Sequence, residues 1–335
     1  MLDILCGMRL SRQAVWIAVF AFCAFGAVNG CRSDQKDKST LEYIRDLEGK
    51  DYFLRLNAVK KLGEKKDPVA VPYLIKALKD SDPTIRAGAA QSLGQIGDPL
   101  AVDPLLAIVR DQNESVRRDT ITALGQFDQP RVRETVLAAM ADNNSYIRNA
   151  ACRSLGRLKV KEAVPRLLQA LRGDDNSYVR TSAVWALGEI GDRKVVPGLL
   201  QSLSDVSSYV RSAGAASLGK LGDPSVIPVL KRSLQDPNLW VRSDAAGALQ
   251  RLGDPSGIPV LIANLSSPQE DDKSSVRGYA DKILRQIAGS SAGFEAGASE
   301  SQRKAAIAQW EKWWAQTRGD GAAQPPATSP PAGTK

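Results

Sequence analysis

Histidine is absent from all 335 residues of the chain. Its absence removes Ser-His-Asp and Cys-His nucleophile arrangements, HExxH zinc chemistry and every histidine-ligated metal. The commonest acid–base side chain of enzymes goes with it. Aromatic residues are scarce at 6%, while alanine and leucine dominate an apolar content of 43%. That balance suits helices rather than sheets. Cysteine is equally thin, with four residues. Cys6 and Cys23 lie in an N-terminal apolar segment, Cys31 follows it, and Cys152 alone stands in the body of the chain. A disulfide framework or a cysteine metal cluster cannot be assembled from that set. Charge of one sign is not concentrated either. The 45 Lys+Arg and 37 Asp+Glu are interspersed, for a formal charge of +8, which reads as a solvated helical surface and not as a nucleic-acid footprint.

One long apolar run is present, from Ala14 to Val28, preceded by Arg9 and Arg12. This is the layout of a secretory signal, and it falls short of the roughly 20 residues that a permanent spanning helix needs. Met8 opens the pattern, and Met1 to Gly7 sit awkwardly upstream, so translation is expected to start at Met8. The run ends Val28-Asn29-Gly30-Cys31, which resembles the bacterial lipobox. The resemblance implies a signal peptide over residues 1–30, cleavage before Cys31 and a diacylglycerol on its thiol. Dual or triple acylation anchors stably where one chain does not. Arg32 after the cysteine, in place of Asp, implies the outer membrane over the inner one. Residues 31–39, polar from Arg32 to Ser39, read as a tether reaching at most about 28 Å.

The body of the chain repeats. An arginine recurs as Arg55, Arg86, Arg117, Arg148, Arg180, Arg211, Arg242 and Arg277, at spacings of 31, 31, 31, 32, 31, 31 and 35. A leucine stands seven residues after each, followed by glycine in the first six units. Six residues before the arginine stands Asp80, Asp111, Asp142, Asp174, Asp205, Asp236 or Asp271 in seven of the eight. Such periodicity marks a repeat architecture. Each unit reads as two helices. In Val226 to Asp236 the apolar residues fall at i, i+3, i+4 and i+7, and Pro228 belongs in a first turn, which places the helix start near Ser225. In the second helix Val241, Ala245, Ala246, Leu249 and Leu252 are expected to be buried. Gly-Asp-Pro then ends the unit. Small residues three and four after the arginine allow close helix approach, and Cys152 occupies such a position as a buried, inert thiol.

This pattern resembles the short HEAT-like repeats of the phycocyanobilin-lyase type. The resemblance covers residues 40–288, about eight units. It implies an all-α, right-handed α-solenoid with the second helices lining the concave side. It also implies a ladder between neighbouring units, in which Arg86, Arg117, Arg148, Arg180, Arg211 and Arg242 bond Asp80, Asp111, Asp142, Asp174, Asp205 and Asp236. The ends depart from the repeat. Ser39 or Thr40 is a fair N-cap, and the eighth unit carries a polar insertion and lacks the glycine. A loop over 289–299 leads to an amphipathic helix over 300–317, with Ala306, Ile307, Trp310, Trp313 and Trp314 on one face. That helix either caps the solenoid or docks another protein. Residues 318–335, rich in Pro and Ala, read as a disordered tail.

Two features exceed the repeat. The position two before the arginine is aromatic in four consecutive units, as Tyr146, Tyr178, Tyr209 and Trp240. Local packing is one reading, and a platform for an extended peptide or glycan is the other. Five and nine residues after the arginine stand Arg153 and Arg157 in the fourth unit and Trp185 and Glu189 in the fifth. A tryptophan beside two arginines has the composition of an interaction hot spot.

The expected protein is therefore a monomeric scaffold without catalytic residues, metal or cofactor apart from the lipid on Cys31. It faces the periplasm from a bacterial membrane and binds an envelope protein or peptide, not nucleic acid, on its concave face. The two competing readings are a bilin-lyase-like chromophore attachment enzyme, implied by the family resemblance, and a binder of anionic envelope polymer or glycan.

Overall fold

A computed structural model describes residues 38–267 and 276–319. The signal segment, Cys31, the tether to Asp37, the insertion with Asp271 and the tail from Asp320 lie outside the described residues. Among the described residues there are seventeen α-helices and no strand. Eight helical pairs follow one another. They are α1 (Thr40–Glu48) with α2 (Tyr52–Lys65), α3 (Val71–Ala77) with α4 (Pro83–Ile96), and α5 (Val102–Ala107) with α6 (Glu114–Leu124). Next come α7 (Pro130–Ala138) with α8 (Ser145–Arg157), and α9 (Val164–Gly173) with α10 (Ser177–Ile190). The last three pairs are α11 (Val196–Leu199) with α12 (Ser208–Leu221), α13 (Ile227–Ser233) with α14 (Leu239–Arg251), and α15 (Ile258–Asn264) with α16 (Val276–Ala288). A final helix, α17 (Glu300–Gly319), extends two residues beyond its expected end.

Local chemistry explains where each helix begins. At the start of α1 it is Ser39 that caps, in a reciprocal box with Glu42. At five of the seven junctions between units a left-handed residue follows the second helix and an aspartate then accepts the N–H two residues on. Val160 stands in place of the aspartate after Lys159, and the junction before Pro130 has neither feature. Gly97 (φ 78°) and Asp98, with Leu100 N–H at 2.9 Å, show the arrangement. Lys66 (φ 53°) and Lys159 (φ 51°) occupy the same slot in units that lack the glycine. After the aspartate comes one 3₁₀ turn. The helical stretch of the seventh unit consequently begins with the turn Pro224–Val226, at the expected Ser225, and continues as α-helix from Ile227. Leu252, expected to be buried, is half-buried because it lies past the last turn of α14.

The two layers pack unequally. A Cβ added to Gly156 would stand 2.7 Å from Ala186 Cα, and one on Gly219 would stand 2.5 Å from Ala248 Cβ. The glycine eight residues after the arginine in the first six units thus lets consecutive second helices nearly touch at the backbone. Ser92 Oγ donates to Val59 O (2.8 Å) and Ser154 Oγ to Ile121 O (3.1 Å) across the same seams. First helices touch their equivalents in adjacent units only sparsely. A stack whose one layer is closer-packed curves towards that layer, so the second helices form the inner face.

Ion pairs lock the turns. Arg86 Nε and Nη2 bond Asp111 Oδ2 and Oδ1, both at 2.9 Å, while Arg86 Nη1 closes on Asp80 O at 2.9 Å. Arg148–Asp174, Arg180–Asp205 and Arg211–Asp236 repeat this two-pronged geometry, and Arg117 reaches Asp142 at 3.2 Å. Each arginine therefore serves the aspartate of the following unit and the backbone of its own. Arg55 adds a rung to Asp80 at 3.3 Å. Arg242 ends the described series on Asn264 Oδ1 at 3.3 Å.

The α17 helix packs on α15. Trp310 is 1% exposed, and its Nε1 donates to Asp281 Oδ1 at 3.1 Å. Asp281 stands four after Arg277, where earlier units bury Ala90, Cys152 or Ala246. The last unit thus meets a polar indole hydrogen where the others meet another repeat. Trp310, Ala306 and Phe294 seal the core, and Trp313 and Trp314 remain half-buried.

Candidate interaction surface

The inner face is built from second-helix side chains one, two, five and nine residues after each arginine, with the residue two before it at the helix start. At mid-solenoid, Arg153 on α8 and Trp185 on α10 meet. The guanidinium carbon lies 5.6 Å from the indole centroid, within cation–π range. The edge of the Trp185 ring also covers Gly156, where an added Cβ would stand 2.8 Å from Cζ3. Trp185 is half-buried for that reason, whereas Arg153 and Arg157 are exposed. Glu189 pairs with Lys220 of the next unit at 2.6 Å. The structure brings Trp185 and Arg153 into one contact and leaves a basic, aromatic patch at the centre of the face.

The aromatic row resolves into parts. Tyr146, Tyr178 and Tyr209 are each the second residue of their helix and are 69%, 61% and 64% exposed. Tyr178 and Tyr209 stack with centroids 6.1 Å apart and planes at 29°. Asn149 Nδ2 bonds both Tyr178 O and Ser182 Oγ at 2.9 Å, fixing that turn to the preceding unit. Trp240 is half-buried and pairs with Tyr279 at 5.3 Å. The Tyr279 hydroxyl donates to Asp244 Oδ1 at 2.5 Å, and Ser212 Oγ donates to Asp244 Oδ2. Burial raises the Asp244 carboxyl above the usual carboxylate range, against the pull of those two donors.

Phe53 occupies the same position two before Arg55 and is 76% exposed, a member of the row that counting only consecutive units misses. It borders a groove of about 700 Å³ across α2, α4 and α6, lined also by Leu56, Asn57, Gln91, Gln95 and Arg118. The ladder aspartates Asp111, Asp174, Asp205 and Asp236 have lowered pKa values. The Arg86 hydrogen bonds hold Asp111 below the carboxylate range against partial burial. Burial pushes Asp205 up, but Arg180 and the Ser207 N–H draw it down further. Burial pushes the Cys152 thiol up to about 12. Among the described residues, no group of three metal-ligating side chains converges and no helix is long and apolar enough to cross a membrane.

Stacked helix pairs with an inner face of second helices define a helical-repeat solenoid. The HEAT repeats model matches residues 44–125, 102–188, 134–218, 164–237 and 196–279. These matches span more than half of the chain, and it belongs to the HEAT-repeat family, whose repeats generally mediate protein–protein interaction. No curated protein matches the chain. Among solved structures, YibA of Escherichia coli is 22% identical with a TM-score of 0.52, over 83% of this chain and 98% of that one. The complex of CpcE and CpcF of phycocyanin lyase from Nostoc is 18% identical with a TM-score of 0.47, over 76% and 98%. Human deoxyhypusine hydroxylase in complex with glycerol is 22% identical with a TM-score of 0.35, over 75% and 96%. At these identities the likeness concerns the fold alone.

Proposed function

We propose that the chain is a lipid-anchored scaffold of the bacterial cell envelope that binds a partner protein on its inner face. The observation that carries the binding reading is the Arg153–Trp185 contact, a cation–π pair at 5.6 Å flanked by exposed Arg157 at mid-face. Aromatic and arginine side chains of this kind dominate binding energy in protein interfaces. The anchor reading rests on the lipobox-like Val28 to Cys31. Binding, not chemistry, is the proposed activity, and the lipid on Cys31 is the one covalent addition it needs. Crosslinking in cells tests the face. Arg153→Glu and Trp185→Ala should each lose a partner that the wild type captures, and equal recovery by both variants would refute the central patch. Cys31→Ser should move the protein from the membrane to the soluble fraction; retention in the membrane would refute the anchor.

A further inference from the structure

Aliphatic side chains stand in the open on the edge of the solenoid where second helices end and first helices begin. The residue fourteen after the repeat arginine is Val69 at the first junction and Leu100 at the second, 54% and 69% exposed. At the same point of the five later junctions it is charged or polar, from Arg131 to Ser256. Leu41, the second residue of α1, adds a third aliphatic at 61% exposure. Asp67 ties this end of α1 to the first of the two turns. Thr40 Oγ1 donates to Asp67 Oδ2 at 2.7 Å, and Val69 N–H donates to Asp67 Oδ1 at 3.0 Å. The next turn, Pro99–Ala101, packs on α3, which continues from the turn Pro68–Ala70. Isolated exposed aliphatics are ordinary, but these occupy three adjacent layers and cease at the fourth.

Their place along the chain argues for what covers them. The cap of α1, Ser39, stands eight residues after Cys31, and eight residues reach at most about 28 Å. Layers 8–10 Å apart put the Leu100 turn roughly 16–20 Å from the start of α1, inside that reach. A bilayer holding a lipid on Cys31 is therefore always close to this edge. Lys65 and Lys66, at the end of α2, adjoin Asp67 on the same edge, and basic side chains beside an apolar patch suit anionic headgroups. We infer that Leu41, Val69 and Leu100 seat on the surface of that bilayer and set the solenoid on it edge down. Three side chains orient the protein and do not anchor it, since even one long acyl chain holds only marginally. The opposite edge, where Tyr146, Tyr178 and Tyr209 open their helices, then faces away from the membrane. The inference rests on the anchor reading and is independent of which partner the inner face takes.

The test places the lipidated protein in vesicles of phosphatidylethanolamine and phosphatidylglycerol that carry a headgroup-labelled acceptor lipid. Cys152 is fully buried, so Arg131→Cys and Tyr146→Cys each offer one thiol to a fluorescent donor, on opposite edges of the fourth unit. Between those edges α8 is about 20 Å long, so energy transfer to the membrane should be at least about twofold higher from Arg131→Cys. Replacing Leu41, Val69 and Leu100 together by serine should equalise the two donors while circular dichroism stays unchanged. Equal transfer before that replacement, or a difference that survives it, overturns the inference. A wild type that sediments as a dimer in detergent while the serine variant is monomeric also overturns it, by assigning the row to a second copy. Mass spectrometry of the Cys31 peptide separates the two failures. Equal transfer with acyl chains present sinks the row alone, and a Cys31 without them sinks the anchor and the row together.

Discussion

Arg180 holds Asp205 of the next unit through two parallel bonds of 2.8 Å, while its third nitrogen donates to Asp174 O of its own unit at 2.9 Å. One side chain therefore closes a turn and joins two repeats. Both side chains are 12% exposed, so removing one leaves the other charge mostly buried. Arg180→Met should cost about 3 kcal/mol of unfolding free energy in urea titrations. The double variant Arg180→Met/Asp205→Leu should lose clearly less than the two single losses combined. Strict additivity would show that the pair is not coupled.

The glycine seams predict a contrast between two conservative changes. Gly219→Ala drives a methyl into Ala248, whose Cα and Cβ would lie at 2.6 and 2.5 Å, and should cost about 2 kcal/mol by overpacking. Gly173→Ala, at the end of α9, meets nothing within 4 Å and should be neutral or stabilising by about 0.5 kcal/mol. Equal effects in thermal unfolding would remove the glycines from any role in helix approach.

Lys66 and Lys159 adopt left-handed backbone at positions where other units carry glycine. The left-handed conformation costs a residue with a Cβ about 1–2 kcal/mol. Lys159→Gly should therefore stabilise the protein by about 0.5–1 kcal/mol after the entropy of the unfolded glycine is subtracted. A destabilised variant in chemical denaturation would contradict this.

Acidic groups of opposite behaviour set the pH response. The lowered pKa values of Asp111, Asp174, Asp205 and Asp236 contribute stability that is present above the unfolded value near 3.9. That stability is lost as pH falls through the lower folded values. Asp244 and Asp281 have raised values, with burial as the leading cause. Their contribution is full below about pH 4 and is lost as pH rises through the folded values. Asp244→Asn should consequently gain stability relative to wild type between pH 4 and pH 7. A stability difference that is flat over that range would refute the assignment.

Trp310→Ala should cost about 3–4 kcal/mol, from the cavity left by a fully buried indole and the lost bond to Asp281. Trp313→Ala, at a half-buried site, should cost markedly less. Comparable losses in calorimetry would mean that α17 does not seal the stack through Trp310.

Much of this architecture was legible because it is periodic. Arg55 to Arg277 mark the units without any coordinates, and the Trp310 face shows at helical spacing. Relations that depend on one neighbour were not. Asp281 reads as an ordinary acidic residue until the indole N–H stands opposite it. Trp185 reads as surface until its ring is seen covering Gly156. The four-residue aromatic row parts at Trp240 because Tyr279, out of register with the row, draws that ring away. Such pairings come from side-chain shape across a seam, and repeat spacing carries no record of it.

The direction of the rungs sets the terms on which the solenoid changes length. From Arg55 to Arg211 each guanidinium reaches forward to the aspartate between the two helices of the next unit, and all such aspartates stand at the same point of the repeat. Removing residues 142–173 would bring Asp174 to the place of Asp142, opposite Arg117, with the seam glycine and its small partner again in register. The molecule is thus a chain of interchangeable links with a built-in polarity. It can shorten or lengthen by whole links, whereas a deletion of half a link would leave an arginine facing no acid.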